Sequence, residues 1–135
     1  MKGWSAIYVL AAAAAVGNAM AESQQYADWL GVWHAELDGQ PSVTLTLADD
    51  TGSIGGTVVL NLIEKEPGGS AHIVQTDVHV LMNPRMEQNR LSFACKKPSG
   101  ELIHFAVVRN ADGVVTIHCM DCGAGAPTVQ LTRGN

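Results

Sequence analysis

Apolar and polar residues alternate along most of the chain after residue 28. In SVTLTLA (42–48), Val43, Leu45 and Leu47 share one face and Ser42, Thr44 and Thr46 the other. This period of two is that of a half-buried strand. Seven more stretches repeat it: WLGVWHAEL (29–37), SIGGTVVLNL (53–62), HIVQTDVHVLM (72–82), RLSFAC (90–95), LIHFAVV (102–108), VVTIHC (114–119) and TVQLTR (128–133). The apolar phase assigns inward positions to Trp33 and Leu37, to Ile54, Val58, Leu60 and Leu62, and to Val74, Val78, Val80 and Met82. Later in the chain it assigns them to Leu91, Phe93 and Cys95, to Ile103, Phe105 and Val107, to Val115, Ile117 and Cys119, and to Val129, Leu131 and Arg133. Turn residues punctuate the runs at Asp38-Gly39-Gln40-Pro41, Asp49-Asp50-Thr51-Gly52, Pro98-Ser99-Gly100 and Asn110-Ala111-Asp112-Gly113. Asn, Asp and Gly accept the left-handed dihedrals of tight hairpins. Eight short strands at hairpin spacing predict an all-β, antiparallel, up-and-down sheet. Closing it into an eight-stranded barrel removes its exposed edges. A two-layer sandwich is the alternative.

The first twenty-one residues do not belong to this pattern. Lys2 precedes an apolar run over 4–16, and Ala19-Met20-Ala21 supplies the small residues of a cleavage site. We read 1–21 as a cleaved signal peptide and 22–135 as a single β-barrel domain, placing the protein in a secreted or periplasmic compartment. The run is shorter than the ~20 residues of a membrane span, and nothing else in the chain approaches that length, so no membrane span is expected.

Charge and composition narrow the partners. The chain carries 13 acidic and 8 basic residues, one of the latter being Lys2 in the leader. An acidic surface disfavours nucleic acid and anionic lipid. Tyr26, Trp29, Trp33, Phe93 and Phe105 are the aromatic residues of 22–135, too few for a base- or sugar-stacking surface. Ser42, Ser53, Ser70, Ser92 and Ser99 lack a nucleophile-elbow context, and Asp77 and His79 share what reads as the solvent face of strand four. No phosphate loop or paired carboxylates stand out. The expectation is a protein that is not an enzyme and has no cofactor.

The three cysteines are the remaining chemistry. In an alternating meander, Cys95 ends strand five, Cys119 ends strand seven, and Cys122 lies in the following loop, so all three gather at one end. Export favours a disulfide. Strands five and seven are separated by strand six, ~9–10 Å axis to axis, whereas a disulfide needs Cα atoms within about 7 Å. The local pair Cys119–Cys122 therefore ranks first. Cys95–Cys122 is an alternative that requires the loop to cross strand six. A metal site built from Cys95, Cys119 and Cys122 with His72 or His104 as fourth ligand is a weaker reading, because Cys119 and Cys122 form one knuckle and strong zinc signals carry two. A redox Cys-x-x-Cys normally sits at a helix N-terminus, and this one follows a strand.

Gly31-Val32-Trp33 at the start of the first strand, followed by a meander, resembles the calycin group of lipocalins and avidin-like proteins. The resemblance implies that Trp33 lies at the closed end of a barrel with a late basic residue stacked over it, for which Arg133 in LTRGN is the match. The phases of the first and last strands agree, since Trp33 and Arg133 both point inward. WLGVWHAEL, VTLTLADDTGSIGGTV and VQLTR are also similar to a small secreted β-domain found beside bacterial α/β-hydrolases. Calycins bind small or apolar ligands or inhibit proteases. The leading functional expectation is a small apolar ligand held in the barrel mouth by Leu37, Leu47, Leu60, Val78, Phe93, Phe105 and Ile117. The alternatives are a module that binds a protein partner, as a protease inhibitor or envelope-assembly subunit does, and a thiol or zinc protein. An internal void of ~300 Å³ or more favours the ligand. A filled barrel with an exposed apolar patch favours the module.

Overall fold

The computed structural model describes residues 26–134; the leader read at 1–21 lies outside them. The strands are β1 (Gly31–Leu37), β2 (Gln40–Asp50), β3 (Ser53–Lys65), β4 (Ala71–Val80), β5 (Met82–Glu87), β6 (Arg90–Lys96), β7 (Leu102–Arg109), β8 (Val115–Cys119) and β9 (Val129–Arg133). All pair antiparallel in one sheet, in the order β4-β3-β2-β1-β9-β8-β7-β6-β5. The up-and-down all-β arrangement is the expected one, but the strand count is nine, not eight.

The additional strand is β5. Its sequence, Met82-Asn83-Pro84-Arg85-Met86-Glu87, has no clean alternation and carries a proline, which confines it to a sheet edge. Pairing with β6 makes it a strand, with Met86 opposite Leu91 and Glu87 opposite Arg90. A register shift between Met82 and Arg85 absorbs Asn83, which has a φ of 50°.

β4 and β5 are the two ends of the sheet, yet Leu81 alone separates them in the chain. Eight antiparallel steps lead from one to the other, so they run in the same direction. They are one long strand bent at Leu81, its first part paired with β3 and its second with β6. The sheet has to curl for its ends to meet at that residue. At the bend Leu81 N–H donates to Gly56 O at 3.0 Å. Gly56 has a φ of 151°, and a Cβ there would lie 1.8 Å from Thr46 O, so β2 and β3 close up only because this residue has no side chain.

The seam on the other side joins β1 to β9, pairing Trp33 with Arg133 and His34 with Thr132. The Arg133 guanidinium lies 4.5 Å over the Trp33 ring. Its Nη1 donates to Leu30 O at 2.7 Å and its Nη2 to Asp28 O. Gly31, at φ 120°, leaves room for it: a Cβ there would approach Nη1 to 3.3 Å. Trp33 Nε1 donates to Trp29 O at 2.8 Å, and Trp29, outside β1, lies under the Arg109 guanidinium at 4.7 Å. Tyr26 anchors the incoming turn, its hydroxyl donating to Asp49 Oδ1 at 2.8 Å. Two cations over two indoles thus cap this end of the fold.

The inward phase holds for most strands. Leu45, Leu47, Val58, Leu91, Phe93, Cys95, Val107, Ile117 and Leu131 are buried in one core. It fails for β4. Val58, in the core, stands directly opposite His79, and Leu60 opposite Asp77, so the inner face of β4 carries His79, Asp77 and Gln75. Val78 and Val80 stand opposite Val59 and Thr57 and face outward, 66% and 69% exposed. Val74 is the extra residue where the β3–β4 register shifts after Leu62. The expected placement of Val78 and Val80 inside, and of Asp77 and His79 outside, is therefore reversed. The valines of β4 have the residue type of a core but not its position.

Candidate functional site

The interior is occupied by the protein's own side chains. Of the residues expected to line a mouth, Leu47, Phe93, Phe105 and Ile117 are core residues, and Phe93 stacks on Phe105 with centroids 5.6 Å apart. Leu37 is exposed at the end of β1. Phe93 and Phe105 also border a depression of about 250 Å³, with Asn83, Arg85 and Met120, and a second depression brings Leu60 and Val78 together. They line a groove of about 480 Å³ with Gln75, Thr76, Asp77 and His79 of β4, Ile103 of β7, and Lys96, Lys97 and Pro98 at the tip of the β6–β7 hairpin. This groove is the part of the wall where β4 has left the body and β6 has ended. It runs beside the outer edge of β4, whose ladder partners among the described residues lie on β3.

The β3–β4 hairpin continues past the core as a ribbon. Leu62, Ile73, Val74, Val78 and Val80 are all exposed. Thr76 Oγ1 and Asn61 Oδ1 share a hydrogen bond of 2.7 Å across it, and Asn61 Nδ2 donates to Pro41 O at 2.9 Å. Gln75 Nε2 donates to both oxygens of Asp77, at 3.2 and 3.1 Å, which turns that carboxylate along its own strand. Among the described residues, the side-chain hydrogen bonds of Asp77 run to Gln75 and not to His79.

At the same end of the fold, Cys119 and Cys122 form a disulfide with Cα atoms 5.5 Å apart. Asp121, between them, reaches back to β7. Its Oδ1 accepts His104 N–H at 3.0 Å, its Oδ2 lies 2.8 Å from His104 Nδ1, and Met120 N–H donates to His104 O at 2.8 Å. The hydrogen bond from the His104 side chain, followed by that from its backbone, holds the Asp121 carboxyl below the usual carboxylate range. Cys95 stays apart as a buried free thiol, and burial pushes its pKa up to about 11. His72 is exposed on the ribbon. The four-residue set Cys95, Cys119, Cys122 and His72 is thus dispersed between core, loop and ribbon. Among the described residues, the cluster of metal-ligating atoms that converges is Cys119, Asp121 and Cys122.

Two residues of these sites were not singled out by sequence reasoning. Asp121 read as loop chemistry, and only its place between two cysteines marked it. Ile103 became a groove residue because β4 departs from the body, which no local pattern signals, whereas the loop that begins at Lys96 was expected at the mouth. No protein-family model matches the chain, and no curated protein or solved structure matches it either.

Proposed function

We propose that the protein is a non-enzymatic interaction module that binds an extended, acidic segment of a partner protein as an added strand on β4. The observation that carries this reading is the ten-residue open edge of β4 with Val78 and Val80 exposed, beside an interior filled by Leu45, Leu47, Leu91 and Val107. Natural edge strands are normally blunted by lysines, prolines, short length, bulges or inward-pointing charges. β4 contains neither lysine nor proline, and its protection is confined to the register shift at Val74 and the inward Asp77. An incoming strand lies ~4.8 Å from β4, inside the groove, with Leu60 and Ile103 beneath it. Lys96 and Lys97 form the far wall; Lys97 is already paired with Glu101 at 3.7 Å, so it is Lys96 that favours a carboxylate on the guest. The leader-like opening and the disulfide support an extracytoplasmic setting for such a module.

The test is selection of peptides from a displayed random library on the purified protein. Enrichment of acidic sequences with alternating β-branched residues supports the reading. So do slowed amide exchange over 71–80 on binding and at least tenfold weaker binding to Lys96→Glu. Binding that leaves β4 exchange unchanged, or no enrichment, overturns it. A concentration-dependent dimer that protects β4 without peptide assigns the edge to a second copy and also overturns it. The second reading, a small apolar ligand, is supported by Leu60 and Ile103 on the groove floor. It predicts that a medium-chain fatty acid binds with shifts confined to those two residues.

A further inference from the structure

We propose that the loop after β8 is a thiol-gated site for a borderline-soft divalent cation, zinc foremost, in which Cys119, Asp121 and Cys122 bind the ion and His104 supplies the fourth donor. This rests on residues separate from β4 and its groove.

The ligand atoms of Cys119, Asp121 and Cys122 already lie within 4.8 Å of one another; His104 stands outside that cluster and reaches it through Asp121, whose Oδ2 is 2.8 Å from His104 Nδ1, so its ring has to swing in as the ion binds. Ligand atoms at zinc distances of ~2.0–2.3 Å on a tetrahedron stand roughly 3.4–3.8 Å apart. Opening the disulfide lets the two sulfurs separate to that spacing, and the carboxylate needs to move by about 1 Å to meet them. The frame for this movement does not depend on the sulfur–sulfur bond. The backbone bond from Met120 N–H to His104 O ties the loop to β7 without involving either sulfur or the moving carboxylate. Cys122 is exposed, and a hollow of about 130 Å³ bordered by Lys97, Glu101, Asp121 and Cys122 gives an ion a way in. Two thiolates, one imidazole and one carboxylate suit zinc and do not suit magnesium or calcium, which take oxygen.

The gating step balances through a dithiol reductant. It delivers two electrons and two protons to the Cys119–Cys122 bond, leaving two thiols, and is itself oxidised to a disulfide. The cation then displaces the two thiol protons to solvent as it takes up the thiolates. Oxidation by the reverse exchange expels the ion.

The experiment uses cobalt(II) as a spectroscopic probe on protein reduced with a dithiol and desalted without oxygen, in wild type and in Cys95→Ala. The expected result is one equivalent of cobalt with thiolate-to-cobalt charge-transfer absorption and strong tetrahedral d–d bands, displaced by zinc. The disulfide form shows none of these. Cys119→Ser and Cys122→Ser abolish the charge-transfer signal expected of a two-thiolate site, and Asp121→Asn and His104→Gln each weaken binding by more than the roughly 10-fold that loss of a supporting hydrogen bond alone costs. The proposal is overturned by a weak octahedral spectrum, by binding unchanged in Asp121→Asn and His104→Gln, or by loss of the far-ultraviolet sheet signal on reduction.

Discussion

The body of the sheet and the β3–β4 ribbon are written in the same alternating code and meet different fates. In the body, Leu45 and Leu91 are fully buried; on the ribbon, Leu62 and Val74 are 55% and 43% exposed. The residue types barely differ. What differs is the surface opposite: β2 and β6 look across a curled sheet at other inward faces, while the far half of β4 has no strand beyond it. A period of two says that a segment is a strand with two unlike faces. It does not say that either face finds a partner within the chain.

The largest expected difference between the regions is in stability. Leu91→Ala should lower the unfolding free energy by about 2–5 kcal/mol, since the cavity is enclosed on all sides. Val78→Ala should change it by less than roughly 0.5 kcal/mol, as at an ordinary surface position. Urea unfolding of both variants measures this, and equal losses would erase the distinction between body and ribbon.

Alkaline pH probes the body alone. The folded Cys95 thiol titrates near 11 against an ordinary value of 9.0. A raised value means that its share of stability is complete below pH 9 and disappears as pH rises through 11. The loss is of the order of 2 kcal/mol. The difference in unfolding free energy between wild type and Cys95→Ala, followed from pH 8 to 11, should show this slope.

A smaller effect is expected at the β1–β9 seam that joins the two halves of the sheet. Arg133 stands over Trp33 and bonds two backbone carbonyls, but it is partly open to solvent. Arg133→Ala should cost about 1–2 kcal/mol. A shift in tryptophan emission before the main urea transition would locate the loss at the Trp29–Trp33 end. Wild-type behaviour would mean that the ladder closes without the cation.

The smallest effect lies in the loop after β8. Asp121 has its carboxyl pKa lowered, chiefly by His104, so its contribution is present above the usual carboxylate value and is lost as pH falls below it, from roughly pH 4 downward. Amide exchange at His104 and Met120 should accelerate over that range while the body melts as before. Unchanged exchange would show that the clip does not depend on the carboxylate.

Much of this fold is legible along the chain, because the alternation in β1, β2, β6, β7, β8 and β9 coincides with a core that each strand faces. Trp33 and Arg133 could be paired from their shared phase and their places in the first and last strands. The local disulfide followed from spacing, since Cys119 and Cys122 need only a short turn to meet. The rest depends on non-local facts. The phase of β4 is set by Val58 opposite His79, a register that no local window contains. β5 is a strand only because β6 lies beside it, as Asn83-Pro84-Arg85 otherwise reads as a turn. The groove exists because β4 diverges from the hairpin that ends at Lys96, and Asp121 acquires its role from His104, seventeen residues away.

The seam between β1 and β9 also fixes how the molecule responds to force. Gly134 N–H bonds Val32 O at 2.7 Å, so the outgoing end of the chain lies against the incoming one. A pull applied at both ends therefore opens the ladder one rung after another, like a zipper, instead of shearing all its rungs at once. The stacked guanidinium and indole sit on the first rungs to part, which makes them the catch that sets the threshold tension.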